Sequence, residues 1–376
     1  MASRSPVHII VTLGPATRTR QSLEAIRDRD VDFVRINMSH SSVADLDYFI
    51  ALAKTVGISF ILDTEGSQVR TGDLLGETLC LTEGQTIRLT GKPIKGDREA
   101  LSLKPAPIIA ELEDGDILHL DFDTLVLRVV DASTASRGYV TARAIAQGFL
   151  GKNKAVSIDP AFPKSYNLPP LTPKDYEAIA VGLREGVGHI AASFIRSRAY
   201  VDAVRDATYG RMKIISKIEC VDGLKNLDEI IEASDRLLID RGDLSKEVPI
   251  DRVPLLQKLI IGKAQSRGKG TYIATNFLET MVEKEKPTRA EVHDITESVL
   301  DGAAGLLLSA ETAIGKHPLA SINVLTKIVR HVESAVDISR IQGQKSLLVE
   351  QLETSNYAAC NEPQLNPPHG DRKSVV

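Results

Sequence analysis

The chain has 376 residues, more than one small core needs and enough for a large barrel with something added. Its 43% apolar and 26% charged content is that of an ordinary soluble globular protein, and its formal charge of -4 gives no reason to expect nucleic acid or a membrane as partner. Three cysteines are too few for a disulfide framework or a zinc cluster, which points to a cytoplasmic protein.

Trp is absent and aromatics make up only 4%, so an aliphatic core is expected. No signal peptide or membrane-length apolar run is visible at the N-terminus or elsewhere. Short apolar runs with polar C-terminal ends follow one another along the chain. They cover His8–Leu13, Phe33–Asn37, Ile58–Asp63, His189–Phe194, Lys213–Ile218, Arg236–Asp240, Thr271–Thr275 and Gly305–Ser309. Near-continuous apolar runs suit strands buried on both faces of a parallel sheet. Helical spacing is read between them at 174–186, 197–208, 222–234, 251–267 and 289–302, and a last helix at 319–336. Eight strands alternating with helices predict an α/β fold of the TIM (β/α)8 barrel type, with an open doubly wound sheet as the rival.

The alternation is interrupted from about residue 72 to about 159. Thr86–Thr90, Ile117–Leu120 and Leu125–Val130 read as strands, Ala106–Glu113 as a bridging segment, and Glu83-Gly84, Asp114-Gly115 and Asp121-Phe122-Asp123 as turns. The predicted organisation is a discontinuous barrel at 1–72 and 160–340, an inserted β-rich domain at 73–159 and a disordered polar tail at 341–376, with a short helix at Ser346–Glu353. An insertion after the third strand's end lies over the barrel mouth, where it either excludes water from a reactive phosphate or is a passive decoration.

In a barrel the C-terminal strand ends converge. Thr12, Asn37, Ser39, Asp63, Thr64, Arg70, Lys217, Glu219, Asp240, Asp243 and Thr275 would meet there as a site, or would mark only where strands stop. Lys217 and Glu219 are two apart and share one direction on an extended chain. They read as an anion clamp with a metal ligand, or as an ion pair across the mouth. Asp243 follows a glycine turn; with Glu219 it would give Mg²⁺ two carboxylates, or it caps the turn. Arg35 and Arg70 have the forks to grip phosphate or to pair with rim carboxylates. Glu311 either supports a basic side chain or opens the last helix. His40, in the second βα loop, is the leading histidine candidate, set against a surface role.

The same residues carry an extended resemblance. VTLGPA at 11–16, VRINMSH at 34–40, DTEGSQVRTG at 63–72, ASFIR at 192–196, ISKIE at 215–219, RGDL at 241–244, ATNFLETM at 274–281, PTRAEV at 287–292 and LSAETA at 308–313 are collinear with the signatures of the pyruvate kinase family. The resemblance implies a barrel with an inserted lid. It also implies phosphoryl transfer between phosphoenolpyruvate and ADP through an enolate. It assigns Glu219 and Asp243 to a divalent cation, Mg²⁺ or Mn²⁺, and Lys217 to the transferring phosphoryl and enolate oxygen. It places Arg35 on the phosphoryl, Thr275 beside the enolate carbon, and Asn37, Ser39, Asp63 and Thr64 around K⁺. His40 and Arg70 fall on the nucleotide side.

Departures from the family pattern fall mostly there. Glu65 stands for a lysine, Ser67 for a proline, Gln68 for a glutamate and Ser245 for a glycine. Asp240 stands where the pattern leads one to expect alanine, Asn276-Phe277 replace Gln-Met, Ala310 replaces a glycine, and the segment at 164–175, including Lys164, is shortened. The pattern also carries a further α/β domain after the barrel, where a short polar tail follows here, so any homo-oligomer would have to form without it. Small molecules remain the expected partners. The intact enolpyruvate set beside an altered acceptor set leaves three functions open. They are pyruvate kinase-like transfer, phosphoenolpyruvate or 2-oxo acid chemistry with a non-nucleotide acceptor or of a lyase or aldol type, and non-catalytic metabolite binding.

Overall fold

The computed structural model describes residues 7–121, 124–158 and 168–335, with 345, 349–350 and 353 beyond them. Eight parallel strands close into a barrel in chain order: β1 (His8–Thr12), β2 (Phe33–Asn37), β3 (Ser59–Asp63), β4 (His189–Ala192), β5 (Lys213–Ile218), β6 (Arg236–Asp240), β7 (Thr271–Ala274) and β8 (Gly305–Leu308). β8 returns to β1 with Gly305 opposite His8, so no edge is left unpaired and the doubly wound alternative is excluded.

The two-residue period of these strands builds the interior. Residues such as Val11, Val34, Ile36, Ile214, Leu237, Ile239, Ile273 and Leu306 point outward into the shared core with the helices. Ile10, Ile61, Ala191, Ile215, Leu238, Tyr272, Ala274 and Leu307 fill the barrel. One further step of two from Ile10, Ile61, Ile215 and Leu238 reaches Thr12, Asp63, Lys217 and Asp240. Apolar layers thus carry a polar layer on top of them. The expected all-aliphatic core needs one correction. The N-terminal end of the barrel is closed by rings, with Phe33 edge-on to His8 and His189 at 5.5 and 5.0 Å and His8 edge-on to Tyr272 at 5.8 Å.

Helices alternate with the strands, and three of them start with reciprocal Ser/Thr–Asp/Glu caps at Ser42, Thr172 and Thr288. The single helix expected over 222–234 is two, Val221–Lys225 and Leu227–Ala233. They part at Asn226, whose side-chain amide donates to the Arg196 carbonyl at 2.7 Å. The last barrel helix is Pro318–Ala335. Among the described residues no helix is long and apolar enough to cross a membrane.

Between β3 and the helix Pro173–Arg184 stands the β-rich insertion, with its own core of Leu81, Leu89, Leu101, Leu120, Leu127, Val140 and their neighbours. The anticipated strands are present as Thr86–Thr90, Ile117–Leu120 and Leu125–Asp131, and a short helix, Ile108–Glu111, lies in the bridging segment. Tyr139–Ala144, Ala100–Lys104, Val156–Ile158 and Arg70–Thr71 complete a seven-stranded mixed sheet, and Thr78–Leu81 pairs with Gly148–Gly151. Gly84 and Gly115 turn the chain at φ 77° and 97°, a conformation glycine adopts without a Cβ clash. Entry and exit chains run side by side: Val156 N–H donates to Val69 O at 2.9 Å and Thr71 N–H to Lys154 O at 2.8 Å. Phe122-Asp123, Lys164 and nearly all of the expected tail lie outside the described residues, though Lys345, Val349, Glu350 and Glu353 are helical.

Candidate active site

The polar layer at the mouth is a dense charge cluster. Lys217, 3% exposed, places Nζ 2.7 Å from Glu219 Oε1, 3.3 Å from Asp63 Oδ1 and 3.7 Å from Asp240 Oδ2. It also donates to Ser193 Oγ at 3.0 Å. Arg35, 2% exposed, donates from Nε to Thr12 Oγ1 at 2.9 Å, from Nη1 to Asp63 Oδ2 and from Nη2 to Ser309 Oγ at 3.3 Å. Asp63 therefore sits between two cations and fixes the position of both.

Glu219 follows β5, and its Oε2 accepts the Phe194 amide at 2.7 Å, which orients the carboxylate. Its Oε1 accepts no hydrogen bond, although the Lys217 ammonium lies beside it. Glu219, Asp240 and Asp243 each bring a carboxylate oxygen within 4.8 Å of the others. An all-oxygen set of three carboxylates suits a hard divalent cation such as Mg²⁺ or Mn²⁺. Asp243 also accepts from Lys246 Nζ at 2.6 Å. The ion pair that the sequence offered as the alternative for Lys217 and Glu219 thus coexists with a metal-competent cluster.

Electrostatics divides these groups. Burial opposes the Lys217 charge, but Asp63, Glu219 and Asp240 outweigh it and hold its pKa above that of an ordinary lysine. Burial pushes Glu219 up to about 8, against the pull of Lys217 and with the repulsion of Asp243 and Asp240 added. Burial acts the same way on Asp240, yet Lys217 and Arg35 prevail and its pKa is lowered.

Thr275 caps β7 in the left-handed region at φ 73°, followed by Asn276 at 58°, a costly conformation for a β-branched residue. A clamp holds it there. Its hydroxyl accepts the Gly242 amide at 2.8 Å, and its carbonyl accepts from Arg241 Nη2 at 2.6 Å. Arg241 is itself set by Asp294 at 2.7 Å and by stacking on Phe277 at 4.3 Å. Glu311 sits in the first turn of the short helix after β8. It accepts the amides of Leu278 at 3.0 Å and Ser309 at 2.7 Å, tying the β7 loop to the end of β8 beside Arg35.

The remaining candidates surround this cluster, with Asp63 and Thr64 buried and His40 at the rim. Asn37 Oδ1 accepts the Ser39 amide at 2.9 Å, while Asp63 and Thr64 are linked through Ser193, whose hydroxyl donates to Thr64 O at 2.7 Å. His40 is an exposed residue at the rim, with its imidazole partly screened from water. Burial and then Arg70 lower its pKa, with Asp243 opposing and Lys174 and Lys246 assisting. Arg70 is engaged by Gln68 Oε1 at 2.7 Å and by Asn153 O at 2.8 Å. Glu65 lies 3.6 Å from Lys174, and its loop is fixed by Asp175, which accepts the amides of Glu65 at 2.7 Å and Gly66 at 3.1 Å. A cleft between insertion and barrel is lined by Gln68, Ser157, Arg196, Asp243 and Lys246.

Sequence reasoning missed Ser193 and Asp175, and one role of Asp240. Asp240 was placed at the mouth but not among the metal carboxylates, although its step of two from Leu238 was a usable signal. Ser193 and Asp175 act by orienting neighbours far away in the chain, and no local pattern announces that.

A family model described as pyruvate kinase, barrel domain, matches residues 4–322. The pyruvate kinase of Sporosarcina psychrophila is 34% identical over 339 residues, covering 88% of this chain and 57% of that protein. That of Geobacillus stearothermophilus is 32% identical over 348 residues, with coverages of 90% and 59%. That of Thermotoga maritima is 34% identical over 341 residues, with coverages of 88% and 72%. The chain therefore spans between 57% and 72% of the length of these relatives. By a match that runs through every barrel strand, the chain belongs to the pyruvate kinase family.

Proposed function

We propose that this chain catalyses phosphoryl transfer between phosphoenolpyruvate and ADP with an enolate as the carbon intermediate. The observation that carries this is the meeting of Arg35, Lys217, Glu219 and Asp243 at one end of a barrel whose sequence matches this family throughout. The Arg35 fork is fixed by Thr12 and Asp63 and would bind the transferring group in a set orientation. The Lys217 ammonium, already charged, would stabilise negative charge as it moves from the phosphoryl to the enolate oxygen without reorganising. Thr275, clamped at the rim, would lie beside the enolate carbon and position its proton delivery. Glu219 and Asp243 would hold Mg²⁺ or Mn²⁺, which when bound supplies positive charge for the phosphoryl oxygens. The insertion would close off water. Asn37, Ser39, Asp63 and Thr64 would hold K⁺, and His40 and Arg70 would face the second substrate.

A coupled assay with phosphoenolpyruvate, ADP, Mg²⁺ and K⁺ tests this, and absence of turnover refutes it. A second reading keeps the same donor chemistry but a non-nucleotide acceptor. Glu65 favours it, because a carboxylate beside Lys174 replaces the positive charge that the family pattern presents. A panel of acceptors followed by ³¹P NMR separates the two by the product that receives the phosphorus.

A further inference from the structure

Asp240 and Asp243 flank one turn: Asp240 ends β6 and Asp243 lies three residues on in the short helix Arg241–Leu244. Glu219 approaches from β5, which pairs with β6 so that Ile218 faces Ile239. The three carboxylates come within 4.8 Å of one another, and the buried Oε1 of Glu219 has the Lys217 ammonium beside it at 2.7 Å. The turn has little freedom, because the Gly242 amide is held by Thr275 Oγ1 at 2.8 Å and Arg241 is locked to the Thr275 carbonyl. Asp240 and Asp243 are thus presented together.

Resting on the divalent-cation reading above, we infer that Asp240 is a third carboxylate ligand, so that the protein alone holds the cation before a substrate arrives. Mg²⁺ usually takes one or two carboxylates and leaves the rest of its shell to substrate phosphates and water. Two carboxylates are what the family pattern supplies, with alanine expected where Asp240 stands. A third offsets the ion's charge before any substrate oxygen reaches it and occupies a coordination position. Metal affinity without substrate rises, and a phosphorylated substrate meets an ion that attracts it less. Asp240 is thereby a specificity-determining residue as well as a ligand, favouring substrates that need fewer oxygens on the cation.

The test is Mn²⁺ binding to the full chain without substrate, read from the electron paramagnetic resonance of free Mn²⁺. Asp240→Ala and the isosteric Asp240→Asn should each weaken binding by about tenfold or more, with thermal unfolding in EDTA reporting that the variants are folded. Glu219→Gln is the control for the cluster itself. Affinity unchanged in both Asp240 variants but lost in Glu219→Gln overturns the role of Asp240 and leaves the cation site standing. No Mn²⁺ binding by the unaltered protein at millimolar concentration overturns both.

Discussion

Divalent-cation binding to this site should expel a proton from Glu219. Glu219 lies against Lys217 and beside Asp240 and Asp243, and burial raises its pKa from the ordinary 4.5 to about 8. A metal ligand must be ionised, so binding at about pH 6 should release about one proton, and binding well above pH 8 close to none. Apparent affinity should rise about tenfold per pH unit up to about pH 8 and then level off. Calorimetric titration of Mg²⁺ or Mn²⁺ in buffers of different ionisation enthalpy counts the proton directly, and Glu219→Gln should abolish its release. Heats independent of buffer at about pH 6, or proton release that survives in Glu219→Gln, would refute the reasoning. The same group sets a stability slope. Because its folded pKa lies above the unfolded one, its contribution in the metal-free protein is fully present below about 4.5. It is lost as pH rises through about 8. The melting temperature of the metal-free protein should therefore fall across that window, and that of Glu219→Gln should fall less.

Lys217→Ala should abolish turnover in the coupled assay. It should also destabilise the fold by about 3–5 kcal/mol in urea titrations, since Asp63 and its neighbours lose a buried counter-charge. Arg241→Ala removes the charged donor from the Thr275 carbonyl and should cost about 1.5–3 kcal/mol. Its kcat should drop more than its KM rises, because Thr275 is then free to leave the left-handed region; unchanged kcat would remove Thr275 from the proposed mechanism. Glu65→Lys should strengthen ADP binding, measured by calorimetry, and make that binding fall more steeply as salt is added. No change there would move the acceptor away from the Glu65 loop.

How much of this was legible in the sequence follows from which faces are buried. The runs at Lys213–Ile218 and Arg236–Asp240 are packed on both sides, so their apolar continuity marks the strands, with ends where the polar layer begins. The insertion strands Tyr139–Ala144 and Gly148–Gly151 alternate buried with exposed or half-exposed residues and contain Arg143 and Phe149 on the open side. That alternation is short and weak, so the sequence alone marks no strand there within the β-rich insertion. Lys217 and Glu219 were legible because two-residue spacing on an extended chain is a geometric statement. Asp240 obeys the same rule, one step of two beyond Leu238, but the resemblance implies alanine there and so assigns that position no metal role. Ser193, Asp175 and Arg241 work through hydrogen bonds to backbone atoms of other segments, and such bonds leave no periodic trace.

The insertion joins the barrel by a two-stranded stalk in which Arg70 bridges Ala155 and Val69 meets Val156. From the barrel's side the whole domain is therefore a wide hairpin whose feet stand together, and closing a loop of that span costs little more entropy than closing a short one. The head is exchangeable in principle: a tight turn grafted between Val69 and Val156 should leave the eight-stranded ring able to close, and a foreign domain with adjacent termini should seat on the same feet.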